Sequence, residues 1–272
     1  MENEGLTEKK YWDSHWERIR LPAEIKKETA NILNRELLRV FDKYLPRKEG
    51  ANILEIGGAP GHFLAFFAKD FHYSVTAIDY SEIGCRKMKE NFEMLHINAM
   101  IYNRNIISND LSDLPRFDIV YSLGFIEHFR DIDPILEKHV HLVKEDGILM
   151  IGVPNFSGIT ELILRKTSPH ILSTHNIRAM DLRTWEAFEE KYLLRPIFKG
   201  YLGGFDLHHC RRCERRTPLN RLIRLFFKMF TGITNRTSFL RRFNSRIWSP
   251  YLLVIYRTGQ QTVHESRLSV PG

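Results

Sequence analysis

The stretch from Leu54 to Phe63, LEIGGAPGHF, decides the fold. A strand-sized apolar run, Ala51 to Ile56, leads into it, and a helical pattern begins at His62. A glycine-rich turn between a strand and a helix is where a nucleotide ligand approaches the backbone. Two phosphate readings fail on spacing. A P-loop needs a lysine after its last glycine, and here Gly61 is followed by His62 and Phe63. A dinucleotide loop needs G-x-G-x-x-G, and here Gly57, Ala59 and Gly61 fall at every second position. What remains is Glu55-x-Gly57-x-Ala59-x-Gly61, with Gly58 inside it and an acid, Asp79, closing the next apolar run at Tyr73 to Ile78. Glycine at 57 and 61 lets a ligand lie against the chain, a methyl at Ala59 takes little room, and Pro60 stiffens the turn. Asp79 has acceptors for both hydroxyls of a ribose. The pattern therefore points to an adenosyl ligand without a pyrophosphate.

Outward from this loop, short apolar runs alternate with helical patterns. Further strands are expected at Ala99 to Tyr102, Phe117 to Ser122 and Gly147 to Val153, with helices at His62 to Lys69, Ser81 to Met94 and Pro134 to Val143. Alternation of this kind predicts an α/β fold, a doubly wound and mostly parallel sheet with helices on both faces. Asp133 before Pro134 reads as a helix N-cap, and KEDG at 144–147 as a sharp helix exit. After Pro154 the sequence predicts a helix near Gly158 to Arg165, a polar loop through SPHILSTHN, and a helix opened by Asp181. Late strands at Leu194 to Leu202 and Tyr251 to Arg257 bring the sheet to seven. Upstream, apolar positions three and four apart predict two helices between Leu6 and Tyr44, broken at Pro22. The expected domains are a helical cap over 1–46, a catalytic domain over 47–257 with a basic helical insertion at 206–249, and a tail at 258–272.

Four motifs in order resemble class I S-adenosylmethionine-dependent methyltransferases over roughly Ala51 to Phe156. They are ILEIGGAPGHF, VTAIDYS with its acid Asp79, FDIVYSLGFIEHF, and LVKEDGILMIGVPN. The subgroup they resemble modifies small molecules such as quinones, sugars and lipids. The resemblance implies a Rossmann-like sheet that binds S-adenosylmethionine and releases S-adenosylhomocysteine. It implies cofactor contacts at Glu55, Gly57, Gly58, Ala59, Gly61, Asp79, Tyr80, Asn105, Ser122 and Leu123. The chain departs from the family at Ala59, usually glycine, and at Asn105, where an acid is expected to face the adenine. The resemblance also implies an N-terminal helix over the cofactor, which makes Tyr11 and Trp12 lid candidates beside their plain reading as helix core.

Methyl transfer from a sulfonium is an in-line displacement, so the protein must mainly bind, align and exclude water. A base helps an oxygen or nitrogen acceptor. Glu127 and His128, in the loop after the fourth strand, are the candidates. The alternative is that Glu127 caps a helix and His128 packs beside the cofactor. Phe125, His175 and Asn176 are candidate contacts for a small-molecule acceptor, His175 and Asn176 lying where this architecture carries substrate-recognition insertions; a loop that only hydrogen-bonds itself is the equal alternative for those two.

The net charge of +7 is unevenly placed. Residues 191–257 carry 15 Lys and Arg against two acids, Asp206 and Glu214, so the rest of the chain is net acidic. Such a segment suits an anionic partner or a solvated face. RLIRLFFKMF, within 219–246, has the cationic and amphipathic character of a helix that lies on an anionic membrane, or of one that packs on the sheet. RNA is the less favoured partner: the loop after the fourth strand lacks the Asn/Asp-Pro-Pro-aromatic motif of exocyclic-amine methylation, and no Pro-Cys pair occurs. Cys210-x-x-Cys213 beside His208 and His209 offers zinc-like ligand types but lacks a second pair, so no metal is expected. Three cysteines, a charged N-terminal stretch and the lack of a membrane-length apolar run lead to the expectation of a cytoplasmic protein, at most peripheral to a membrane.

Overall fold

The computed structural model describes residues 5–29, 31–206 and 243–259, together with His209, Pro218, Arg221, Leu222, Leu225, Phe226 and Met229. The seven strands are β1 (Asn52–Ile56), β2 (Ser74–Asp79), β3 (Ala99–Asn103), β4 (Phe117–Leu123), β5 (Val143–Pro154), β6 (Leu194–Leu202) and β7 (Tyr251–Thr258). They form one sheet in the order β3-β2-β1-β4-β5-β7-β6. Strands β1 to β5 pair in parallel, and β7 runs antiparallel between β5 and β6. The doubly wound, Rossmann-like expectation is met, with strand order reversing between β1 and β4.

Side chains of the central strands alternate between two cores. Leu54, Ile56, Val120, Leu149 and Ile151 enter one, while Ile53, Ile119, Tyr121, Ile148 and Met150 enter the other. Period-two burial on both faces explains why these strands read as unbroken apolar runs. Helices α3 (His62–Asp70), α4 (Glu82–Met94), α5 (Asp133–Leu142) and α8 (Leu182–Lys191) follow the expected spans within a few residues. Ser81 and Asp181 cap α4 and α8 through their side chains.

Four local expectations are corrected. The upstream pair shrinks to α1 (Lys9–Glu17) and α2 (Ile32–Tyr44), because Asn31 caps the second helix late and Asn91 holds Ala23 through both its backbone groups. Asp133 does not cap α5. It is the first helical residue, and its carboxylate takes Lys191 and the Tyr192 hydroxyl. KEDG is not a helix exit but the start of β5, kinked at Asp146, whose φ is +56°. The expected polar loop after α6 (Ile159–Thr167) contains a short helix, α7 (Pro169–Ser173), with proline in its first turn. Most of the basic insertion, including His208, Cys210 and Cys213, and the tail beyond Gly259 lie outside the described residues.

Candidate active site

The carboxyl ends of β1, β2 and β4 open into a cavity of about 1090 Å³. That is at the upper end for one ligand and fits a cofactor together with a small acceptor. Gly57, Ala59 and Pro60 form one wall, Asp79 and Tyr80 the next, Asn105 and its neighbours a third, and Leu123, Phe125 and His128 the fourth. The roof comes from the N-terminal segment, where Thr7, Trp12, Trp16 and Ile19 face the cavity.

The loop after β1 needs its glycines, but for a reason the sequence does not reveal. Gly57 has φ +72°, and a Cβ there would stand 2.2 Å from the Phe125 ring. At Gly61, φ is +81° and a Cβ would meet the Phe92 ring at 2.5 Å. Both positions exclude side chains through the protein's own aromatic packing and a left-handed backbone. Gly58 lies against the Glu55 carboxyl, at 2.6 Å from a built Cβ, and like Gly61 it does not line the cavity.

Asp79 ends β2 at the cavity edge with 5% of its surface exposed. Its Oδ1 accepts from the Ser81 N–H at 2.8 Å and its Oδ2 from the Ala59 N–H at 3.4 Å. Each oxygen keeps a lone pair for a ligand hydroxyl, so the residue fits a ribose. Burial pushes the Asp79 carboxyl up to about 6, against the pull of those two N–H groups, and Asp13 adds to the rise. Ser81 links this edge to the roof by donating to Asp13 of α1 at 2.6 Å. Glu55 lies beneath the loop rather than in the cavity; burial lifts it to about 8, the Tyr121 hydroxyl opposes the shift, and its Oε2 has no partner. Asn105 lines the cavity while its Oδ1 accepts from the Ile107 N–H at 2.9 Å, so the side chain also holds its own loop. Ser122 is fully buried behind the wall and pairs with His139 Nε2 at 3.1 Å. Tyr11 stays exposed outside the cavity, its ring against Trp12, and Trp12 alone of that pair faces inward.

The acceptor wall is assembled from three distant segments. The turn 126–128 after β4 carries Glu127 and His128, the N-terminal strap pairs Gly5 with Phe129, and the Leu6 N–H donates to the His128 carbonyl at 2.6 Å. His128 Nδ1 lies 3.2 Å from the Thr174 carbonyl and 3.0 Å from Thr7 Oγ1. A carbonyl only accepts, so Nδ1 carries the hydrogen and Nε2 the lone pair. That free Nε2 is 3.8 Å from Glu127 Oε1. Burial, with His175 adding to it, pulls His128 down to about 3 and keeps the ring neutral. Burial pushes Glu127, 1% exposed, up to about 8, and its Oε2 has no hydrogen-bond partner. His175 does not line the cavity itself; its ring packs tilted against His128, centroids 4.4 Å apart, and edge-on against Phe156 at 4.9 Å. Asn176 is placed differently from its sequence-based role. It lies outside the cavity, and its side chain donates to the Phe129 and Arg130 carbonyls while accepting from the Arg178 N–H. It clamps the wall instead of facing an acceptor.

Sequence reasoning missed Thr7, Thr174 and Tyr251. Tyr251 begins β7 beside Gly152, and burial with the neighbouring Glu127 and Glu55 carboxyls holds its hydroxyl well above the usual phenol range. Nothing local marks these three, because each reaches the site through long-range pairing. Among the described residues, Glu127, His128 and His175 also bring one ligand-type atom each within 4.8 Å of one another.

A family model described as a methyltransferase domain matches residues 26–194. The chain belongs to that family. Methyltransferases of this family use S-adenosylmethionine, and the cavity has the volume for it and carries at its edge the Asp79 carboxyl, whose oxygens keep lone pairs for a ligand hydroxyl. A ubiquinone biosynthesis O-methyltransferase of Glaesserella parasuis is 25% identical over 180 residues, 58% of this methyltransferase and 75% of the relative. Phosphoethanolamine N-methyltransferase 1 of Zea mays is 27% identical over 172 residues, 61% of this chain but only 33% of the maize enzyme. The methyltransferase thus spans about a third of that relative's length. Among solved structures, coclaurine N-methyltransferase bound to N-methylheliamine and SAH matches with a TM-score of 0.60 at 14% identity, covering 94% of this chain and 84% of the other. A SAM-dependent methyltransferase from Thiobacillus denitrificans matches with a TM-score of 0.55 at 16% identity, covering 90% and 96%. Both likenesses concern the fold.

Proposed function

We propose that this methyltransferase transfers a methyl group to an oxygen or nitrogen of a small molecule, a quinone, sugar or lipid-linked compound, with His128 as the base. The observation that carries the reading is the neutral His128, its Nδ1 hydrogen fixed by Thr174 and its Nε2 lone pair 3.8 Å from Oε1 of the buried Glu127 carboxyl, whose Oε2 has no hydrogen-bond partner. When bound, the cofactor supplies an electrophilic methyl on a sulfonium. Asp79 would hold its ribose, while Trp12 and Trp16 close the roof and keep water out. During transfer the acceptor's proton would pass to His128 Nε2, leaving the acceptor's lone pair free for the methyl group. Glu127 as carboxylate then stabilises the imidazolium. An oxygen or nitrogen acceptor agrees with the relatives, which include both O- and N-methyltransferases by name.

The test is incubation with methyl-labelled cofactor and panels of catechols and quinols, amino alcohol phosphates and sugars. Label in one class, lost in His128→Ala, supports the reading. Transfer that is unaffected by His128→Ala rejects the base. Activity abolished by a chelator and restored by a divalent cation reassigns Glu127, His128 and His175 to a metal.

A further inference from the structure

The excursion between β6 and β7 leaves and re-enters the sheet at a defined place. Leu202 at the end of β6 and Pro154 at the end of β5 both pair with Tyr251 at the start of β7. Since β5 is parallel to β4, this is the carboxyl end of the parallel strands, the end at which the cavity opens. Residues of the excursion also reach the acceptor wall: the His209 ring packs on Phe156 at 4.9 Å, and Phe156 packs on His175 at the same distance.

The described helical positions of this excursion turn apolar side chains outward. Leu222, Leu225, Phe226 and Met229 are 64%, 54%, 60% and 61% exposed, and their spacing puts them on one helix face. Arg221, also exposed, borders that face, and the same sequence stretch holds Arg224 and Lys228. A second exposed apolar pair, Leu162 and Ile247, sits at the base of the excursion, where the Ile159 N–H donates to the Ile247 carbonyl at 3.0 Å. Folded proteins seldom leave leucine, isoleucine and methionine grouped in water without a surface to meet.

We propose that the excursion between β6 and β7 docks this methyltransferase on an anionic lipid bilayer, with the apolar face of Leu222, Leu225 and Met229 entering the headgroup boundary. Charge complementarity favours that occupant, since residues 191–257 hold 15 Lys and Arg against two acids. Nucleic acid would use the arginines but leave these aliphatic side chains in water. Docking at this end would present the cavity mouth to the membrane, and it does not depend on which acceptor is methylated.

The experiment is co-sedimentation of the full chain with vesicles of phosphatidylglycerol and phosphatidylcholine in equal parts, at low and high salt. Most of the protein should pellet with them at low salt, less at high salt, and little with pure phosphatidylcholine. A triple variant, Leu222→Glu, Leu225→Glu and Met229→Glu, should bind at least tenfold more weakly while its affinity for S-adenosylhomocysteine stays unchanged. If the triple variant fails to fold, the pair Leu162→Glu and Ile247→Glu should weaken binding in the same direction. The proposal is overturned if the wild type stays in the supernatant at low salt, if a folded variant pellets like the wild type, or if RNA is bound and vesicles are not.

Discussion

The cofactor edge and the acceptor wall are built differently. At the edge, Gly57 to Gly61 follow β1, Asp79 ends β2 and Asn105 lies just past β3; Ser81 holds Asp79 and Ile107 holds Asn105 from two residues away, with the Ala59 N–H reaching Asp79 from the neighbouring loop. At the wall, His128 is held by Thr7 and Thr174, 121 and 46 residues away. The edge side chains are therefore placed largely by local geometry. The wall exists only when strap, turn and α7 region meet, so His128, the base we propose, lies in the part of the site that tertiary structure must assemble.

The comparison breaks most decisively at His128. His128→Ala should lower kcat by about 10²- to 10⁴-fold with the affinity for S-adenosylhomocysteine unchanged, because a positioned base contributes to the transition state and not to cofactor binding. Glu127→Gln adds a pH signature. With its carboxyl pushed up to about 8, Glu127 is charged only above that pH, so kcat should rise through about pH 8 in the wild type and lose that limb in the variant. A loss of cofactor affinity in His128→Ala, measured by calorimetry, would join the two regions into one.

Asp79 tests the edge in the opposite sense. Asp79→Ala should weaken S-adenosylhomocysteine binding about a hundredfold, hydrogen bonds to a charged group being worth roughly 1.5–3 kcal/mol. Its raised pKa also fixes a direction. The carboxylate is present above about 6, so affinity should fall as pH drops through that value, and Asp79→Asn should be nearly flat over the same range. The fold follows the reverse sign: burying this charge costs stability above about 6, so the unliganded Asp79→Asn protein should melt higher than wild type at neutral pH.

This contrast explains what was legible in the sequence. The seven strands and the parallel order could be read because apolar runs, glycines and the Asp79 acid carry their meaning within a few residues. Glu127 and His128 could be picked out as a pair because they follow β4, the strand beside the switch point. At Asn176 the sequence leaves an acceptor contact and a self-bonded loop equally open, and only the carbonyls of Phe129 and Arg130, about 46 residues distant, decide for a clamp. Likewise the sequence offers ligand contact as the reason for Gly57, whereas the Phe125 ring supplies the constraint. Asn176→Ala would leave those carbonyls and the turn unsupported, and should lower stability by roughly 1–3 kcal/mol, read as a drop in Tm, with cofactor affinity little changed in the protein that remains folded.

The smallest effect separates the strap from the wall it closes. Thr7 Oγ1 is 3.0 Å from His128 Nδ1 and 3.4 Å from the Thr174 carbonyl, so it touches the hydrogen-bonded side of the imidazole and not the lone pair that takes the proton. Thr7→Val keeps the shape and removes only the hydroxyl. Thr174 still fixes the tautomer, so kcat should fall by no more than about tenfold, the upper end of the roughly 0.5–1.5 kcal/mol of a single neutral hydrogen bond. KM for the cofactor should stay unchanged, and Thr7→Ser should restore the rate. A fall as large as that of His128→Ala would mean that the strap hydroxyl, and not the Thr174 carbonyl, sets the ring's protonation, and the acceptor wall would then be complete only when the N-terminal segment is closed over it.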